Sequence, residues 1–139
     1  MNLKLIGIAL AATTTFAQAT GPSPSELWRQ LKDLLMGADG DRYFKQNVEG
    51  AEIPPVGRFD GKVVSQPSAH ELIVNVDDPA GDARLRFLLA LKGNIPDGTP
   101  VHLQGVARSY AKNPYRLTLD VEDGKIDGLP PGAIPRRGN

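Results

Sequence analysis

Two histidines are the side chains best suited in this chain to act as a general base near neutral pH. His70 and His102 have 31 residues between them, and neither belongs to a His-x-x-x-His or His-Glu-x-x-His pair. The sequence has no Gly-x-Ser-x-Gly elbow, P-loop or dinucleotide-binding glycine pattern. We therefore predict a protein without catalytic residues. The alternative is a small ligand-binding or hydrolytic barrel that uses His102.

The sequence supports metal binding and thiol chemistry even less than it supports a catalytic histidine. The chain contains no cysteine, which excludes a thiolate nucleophile, a disulfide and a Cys-ligated zinc ion. Two groups of acids, Asp39 with Asp41 and Asp77 with Asp78 and Asp82, supply oxygen atoms. Neither group fits the pattern of a twelve-residue calcium loop, and aspartates also cap turns through local hydrogen bonds. We expect turn residues here, and we expect neither a metal nor a cofactor.

Four arginines are the strongest candidates for a binding surface, because all of them fall on outward positions of predicted strands. The whole chain has 16 Lys and Arg against 16 Asp and Glu, which excludes binding to nucleic acid or anionic membrane through overall basicity. Residues 56–119 carry eight basic and six acidic residues, a small surplus. We predict that these arginines contact a protein partner or a polyanion. The set is Arg84, Arg86, Arg108 and Arg116.

Aromatic side chains do not favour binding to single-stranded nucleic acid. That function requires exposed aromatic platforms along a positively charged path. Phe87 and Tyr115 share the side of their strands with leucines, which assigns them to the core. Tyr110 and Phe59 remain as the predicted surface aromatics, so nucleic acid is not an expected partner.

The first 19 residues have the pattern of a cleaved secretory signal. Lys4 precedes an apolar run over 5–16, and Ala17-Gln18-Ala19 forms a small-x-small ending. The alternative, a membrane anchor, needs roughly 20 apolar residues, and this run is shorter. Cleavage before Thr20 would remove 19 of 139 residues and leave 120. We therefore expect an exported protein, periplasmic or secreted, without a transmembrane segment after cleavage.

One amphipathic helix is predicted after this signal. Ser23-Pro24-Ser25-Glu26 has the cap, proline and early acid of a helix N-terminus, and Gly37 stops the helix. Its apolar stripe consists of Leu27, Trp28, Leu31, Leu34 and Leu35. The connector that follows is polar, with a short helix near 42–47 as an option.

From residue 56 the hydrophobic period changes to two, which predicts strands. The predicted strands are Val56–Ser65, His70–Val76, Ala83–Leu91, Val101–Tyr110 and Tyr115–Glu122. Gly105 indicates a bend within the fourth strand. The segment from Leu129 is rich in proline and glycine, and we expect it to be loose.

These elements predict a mainly β fold, a five-stranded barrel preceded by one helix that covers an open end. Closure into a barrel removes the exposed edges of a small open sheet. An OB-fold-like barrel and an SH3-like barrel both satisfy this strand count. The expected organisation is a signal peptide over 1–19, a helix and connector over 20–55, the barrel over 56–128, and a tail over 129–139.

Residues 56–129 resemble small exported bacterial OB-fold domains of the tRNA-anti-like type. The resemblance rests on Pro96-Asp97-Gly98-Thr99-Pro100-Val101, on Gly105-Val106, and on Asn113-Pro114-Tyr115-x-Leu117-Thr118-Leu119-Asp120-Val121-Glu122. The last segment also resembles the end of β domains in some bacterial tetratricopeptide-repeat proteins, but no helical repeats precede it here. The family name implies nucleic-acid binding by fold analogy alone.

The function predicted from these observations is an exported, non-enzymatic binding or accessory module that contacts an envelope protein or a polyanion. A purely structural spacer is the remaining hypothesis. An exposed apolar or arginine patch would favour the binding module, whereas a pocket around His102 would favour the alternative barrel.

Overall fold

The computed structural model of the chain describes residues 22–135. The predicted signal segment and its cleavage site therefore lie outside the described residues. None of the helices within 22–135 combines the length and the apolar character that crossing a bilayer requires.

The predicted amphipathic helix is α1 (Pro24–Met36). Its N-terminus carries a reciprocal capping box: the Ser23 hydroxyl accepts from the Glu26 N–H at 3.2 Å, and the Glu26 carboxylate accepts from the Ser23 N–H at 3.0 Å. The hydrogen bond from the Ser23 backbone holds the pKa of Glu26 below its usual value. Trp28, Leu31 and Leu35 are buried, whereas Leu34, a member of the predicted stripe, is exposed.

The connector is more ordered than the sequence indicates. It contains α2 (Gly40–Tyr43) and a π-helical turn (Phe44–Val48), which overlap the predicted short helix, and then a two-residue strand. Phe44, Val48 and Ile53 are buried, so this segment contributes to the same core as α1.

The described residues contain eight strands, where the sequence predicts five. The predicted fourth strand is divided at Gln104, and two further strands of two residues each lie at the ends of the sheet. The strands are β1 (Glu52–Ile53), β2 (Phe59–Ser68), β3 (Glu71–Asn75), β4 (Ala83–Arg86), β5 (Pro100–Leu103), β6 (Gly105–Lys112), β7 (Tyr115–Asp120) and β8 (Ile126–Asp127).

All eight strands belong to one sheet with the order β1-β6-β7-β4-β3-β2-β5-β8. Neighbouring strands are antiparallel except β4 and β7, which pair in parallel. Gln104 alone separates β5 from β6, yet these strands lie near opposite ends of the order. The two ends of the sheet must therefore approach each other, and the sheet curls into a half-barrel.

Gly105 begins β6, directly after the point at which the predicted fourth strand is divided. A Cβ atom at Gly105 would lie 2.9 Å from the Asp120 carbonyl oxygen and 3.0 Å from the Leu119 Cβ. Only glycine lets β6 approach β7 this closely. The predicted position of the bend is therefore confirmed to within one residue.

The core joins α1 to the inner face of the sheet. The Trp28 and Phe59 rings meet edge to face, with their centroids 4.8 Å apart. Phe59 is fully buried, so its prediction as a surface aromatic is wrong. Tyr110 is only half-buried; its ring lies 5.0 Å from the Phe44 ring, and its hydroxyl donates to Asp41 at 2.5 Å.

Residues 129–135 also pack against the core. Ala133 is buried, and its carbonyl accepts from the Lys92 N–H at 2.7 Å. Leu129 and Ile134 are partly buried against the same cluster. The expectation of a loose tail is wrong for this part of the chain.

Candidate functional site

A groove of about 760 Å³ lies where β3, β4, β6 and β7 come together. It is lined by the start of β3, the end of β4, the first half of β6 and the residues that follow β7. Four kinds of side chain share it: arginines, carboxylates, a histidine and apolar groups. Its position is set by the parallel pairing of β4 with β7, which places the ends of these two strands side by side.

A row of cross-strand neighbours runs through this groove. Glu71 of β3 pairs with Arg86 of β4, Arg86 pairs with Asp120 of β7, and Asp120 pairs with Val106 of β6. Directly opposed residues in a sheet have their side chains on the same face and within reach of each other. The register therefore brings opposite charges from distant parts of the sequence into contact.

Asp120 joins two of the predicted arginines. The Arg86 Nε–H donates to Asp120 Oδ1 and the Arg108 Nε–H donates to Oδ2, each at 2.8 Å. Partial burial alone would raise the pKa of Asp120, but the hydrogen bonds from the two arginines outweigh it and the pKa lies below the usual value. The same carboxylate raises the pKa of Arg86. Asp120 is therefore the centre of a charged triad.

The other two arginines of the predicted surface lie outside the groove lining. Arg84 Nη1 is 3.7 Å from Glu71 Oε2, and the Arg116 Nε–H donates to the Gly81 carbonyl at 3.2 Å. The structure thus places Arg86 and Arg108 on one carboxylate, whereas Arg84 and Arg116 each contact a different group.

The two histidines have different surroundings. His70 lines the groove, and its Nδ1 lies 2.9 Å from the Phe87 carbonyl oxygen. Because a carbonyl can only accept, Nδ1 carries the proton and Nε2 keeps the lone pair in the neutral ring. His102 does not line the groove; its Nδ1 pairs with Asp60 at 2.5 Å on the adjacent strand. The proximity of His70 to the arginines was not predicted from the sequence.

The apolar part of the groove includes an unusually exposed leucine. Leu88 follows β4 and has 81% of its surface exposed, next to buried Phe87. Val106 and the buried Val121 supply further apolar lining. Sequence reasoning missed Leu88, although it stands at an outward position of the alternating run Phe87–Leu91, where a polar residue is usual.

The charge of the groove is mixed rather than basic. Two guanidinium groups face four carboxylates, which belong to Glu71, Asp120, Glu122 and Asp123. Within residues 22–135 no three acidic or histidine side chains are placed to hold a metal ion. The groove can therefore offer salt bridges of both signs and an apolar contact to a ligand.

Comparison of the chain with protein-family models, with curated proteins and with solved structures found no match. The function must therefore be argued from the site itself.

Proposed function

We propose that this protein is an exported, non-enzymatic binding module that contacts a protein partner of the cell envelope through the groove. The exposed Leu88 beside the arginine pair is the observation that carries this proposal. An apolar side chain that lines a groove together with charged groups offers a partner a contact that removes apolar surface from water.

A polypeptide fits this groove better than a polyanion does. The lining carries more carboxylates than guanidinium groups, which disfavours a ligand with a repeated negative charge, whereas a polypeptide can place an acidic, a basic and an apolar side chain against matching groups. Mixed charge around an apolar centre is the usual composition of a protein–protein contact. We therefore favour the envelope protein over the polyanion of the initial hypothesis.

We also propose that the sheet is an OB-like barrel. Five segments support this assignment: β2, β3, β4, the divided strand β5–β6, and β7. The first pairs with the second and with the first half of the fourth, and the third pairs in parallel with the fifth. This connectivity favours the Greek-key OB arrangement over an SH3-like barrel.

The alternative, a hydrolytic or ligand-binding barrel that uses His102, has less support. The His102 ring is paired with Asp60, but it lies outside the groove lining. We therefore propose a protein that binds without catalysing a reaction.

Site-specific photo-crosslinking tests the proposed surface. A benzophenone amino acid replaces Leu88 in one variant and Val56 in another, and both proteins are irradiated in intact cells. Val56 is the matched control, because it is 84% exposed and lies outside the groove lining. We expect a discrete protein adduct from position 88 and none from position 56.

Equal adducts at both positions, or none at position 88, would contradict the proposed surface. Adducts to nucleic acid or polysaccharide at position 88 would instead support the polyanion hypothesis.

A further inference from the structure

We infer that Arg86 and Arg108 form a clamp that binds one carboxylate of the partner polypeptide, an aspartate or glutamate side chain that enters beside an apolar residue. This inference rests on the proposed function and names the chemistry of its ligand. We call these two arginines, together with Asp120, the arginine clamp.

The clamp has one more positive charge than negative charge. Asp120 is a single carboxylate, and it accepts one hydrogen bond from each arginine, at 2.8 Å in both cases. Two guanidinium groups are therefore held close together by one anion. Glu71, the cross-strand neighbour of Arg86, is paired with Arg84, so these five side chains together carry one excess positive charge. A second carboxylate would remove this excess and the repulsion between the two cations.

The donors that an incoming carboxylate needs are still on the accessible part of each side chain. Asp120 contacts both guanidinium groups at Nε and not at Nη, and the Nη groups are donors suited to a bidentate contact with a carboxylate. The side chains of Arg86 and Arg108 are 48% and 49% exposed. Binding thus requires little loss of existing hydrogen bonds.

The surroundings of the clamp select a single carboxylate. Glu122 also lines the groove and would repel a ligand that places a further negative charge there. Leu88 provides an apolar contact for the neighbouring side chain of the partner. A peptide in which an acidic residue adjoins an apolar one satisfies both conditions.

Arg116 provides a matched control within the same sheet, and Arg84 provides a second comparison. Each is an arginine on β4 or β7, like Arg86 on β4, but Arg84 is paired with Glu71 and Arg116 donates to the Gly81 carbonyl. Neither lines the groove. Replacing any of these residues by glutamine removes one positive charge, and Arg84→Gln also unpairs Glu71, which lines the groove.

Nitrogen-15 NMR of the arginine Nε–H groups tests the clamp directly. The probe is N-acetyl-Asp-Leu-amide, titrated to about 50 mM because a ligand of this size is expected to bind only in the millimolar range. N-acetyl-Asn-Leu-amide is the neutral control. We expect saturable shifts of the Arg86 and Arg108 signals with the aspartyl peptide, and at least tenfold weaker binding of the asparaginyl peptide.

The glutamine variants complete the experiment. Arg86→Gln and Arg108→Gln should each weaken the aspartyl peptide about tenfold, whereas Arg116→Gln should leave its affinity within about twofold. Arg84→Gln should have an intermediate effect, because it unpairs Glu71 in the groove lining. Backbone spectra of all four variants establish that each is folded. Equal binding of the two peptides, or equal effects of all four substitutions, would overturn the clamp.

Inorganic phosphate distinguishes the source of the anion. If phosphate at equal concentration binds more tightly than the aspartyl peptide, the site is one for free oxyanions, and the inference of a polypeptide ligand is overturned. A protein adduct at position 88 without any shift at the arginines would leave the proposed function intact while rejecting the clamp.

Discussion

Asp82 illustrates how much one side chain contributes to this fold. It is fully buried, and its carboxylate accepts from the Trp28 indole N–H at 2.8 Å and from the Val76 N–H at 2.9 Å. The N–H groups of Asp77 and Asp78 donate to it as well. The predicted role of this residue in a turn is confirmed, but the carboxylate also connects that turn to α1.

Substitution of Asp82 by asparagine tests this role. The amide has one acceptor oxygen where the carboxylate has two, and its NH₂ group would face other donors. We expect a loss of about 3 kcal/mol in the free energy of unfolding, because buried donors lose a charged acceptor. Urea denaturation measures the change.

Asp97→Asn is the control for this experiment, because Asp97 is exposed and the same atoms are exchanged there. A surface substitution of this kind should change stability by less than about 0.5 kcal/mol. Equal losses in the two variants would show that the hydrogen bonds of Asp82 contribute nothing specific.

At the scale of elements, the attachment of α1 depends on a narrow stripe. Trp28 and Leu35 are fully buried and Leu31 nearly so, whereas Leu34 at the same spacing is 46% exposed. The stripe is narrower than the leucine pattern indicates, because the strands beneath the helix cover only part of its apolar face.

We therefore expect Trp28→Ala to lower the free energy of unfolding by about 3 to 5 kcal/mol, as the loss of a large buried side chain does. Leu34→Ala on the same helix is the control and should cost well below 1 kcal/mol. Thermal or urea denaturation provides both values. A cost below about 1 kcal/mol for Trp28→Ala would mean that α1 folds onto the sheet without stabilising it.

In the third predicted strand, the buried residues extend beyond the part that pairs with neighbouring strands. Phe87 and Leu91 are buried, as the alternation predicts, but β4 ends at Arg86. Beyond that point the Phe87 N–H donates to the His70 carbonyl and the Leu91 N–H to the Ala69 carbonyl. The chain therefore continues to cover the core outside a regular ladder, and this departure exposes Leu88 in the groove.

For the whole molecule, export is the prediction that is easiest to test. In bacterial cells that express the full chain, we expect the mature protein outside the cytoplasm, shorter by 19 residues and beginning at Thr20. Fractionation followed by intact-mass measurement checks this result.

Ile8→Arg is the control for export, since a charge in the apolar run should block recognition of the signal. An uncleaved chain of 139 residues in the cytoplasm of wild-type cells would contradict the prediction of export. Retention of the uncleaved chain in the membrane would favour the anchor.

Several features followed from the sequence because they are local. The apolar spacing and caps define α1, and the period of two defines most strands and the burial of Leu117 and Leu119. Phe59, Gly61 and Val63 occupy alternate positions of β2. This alternation already indicates that Phe59 faces the core. The prediction of Phe59 as a surface aromatic did not take this alternation into account.

The groove could not be predicted from the sequence and is visible only in the tertiary structure. Arg86 and Asp120 are 34 residues apart, and their contact depends on the parallel register of β4 with β7. The sequence by itself determined which residues face outward, because side-chain direction along a strand depends on local alternation. The tertiary structure decided which outward residues meet, because strand register depends on how the whole curled sheet closes over its core.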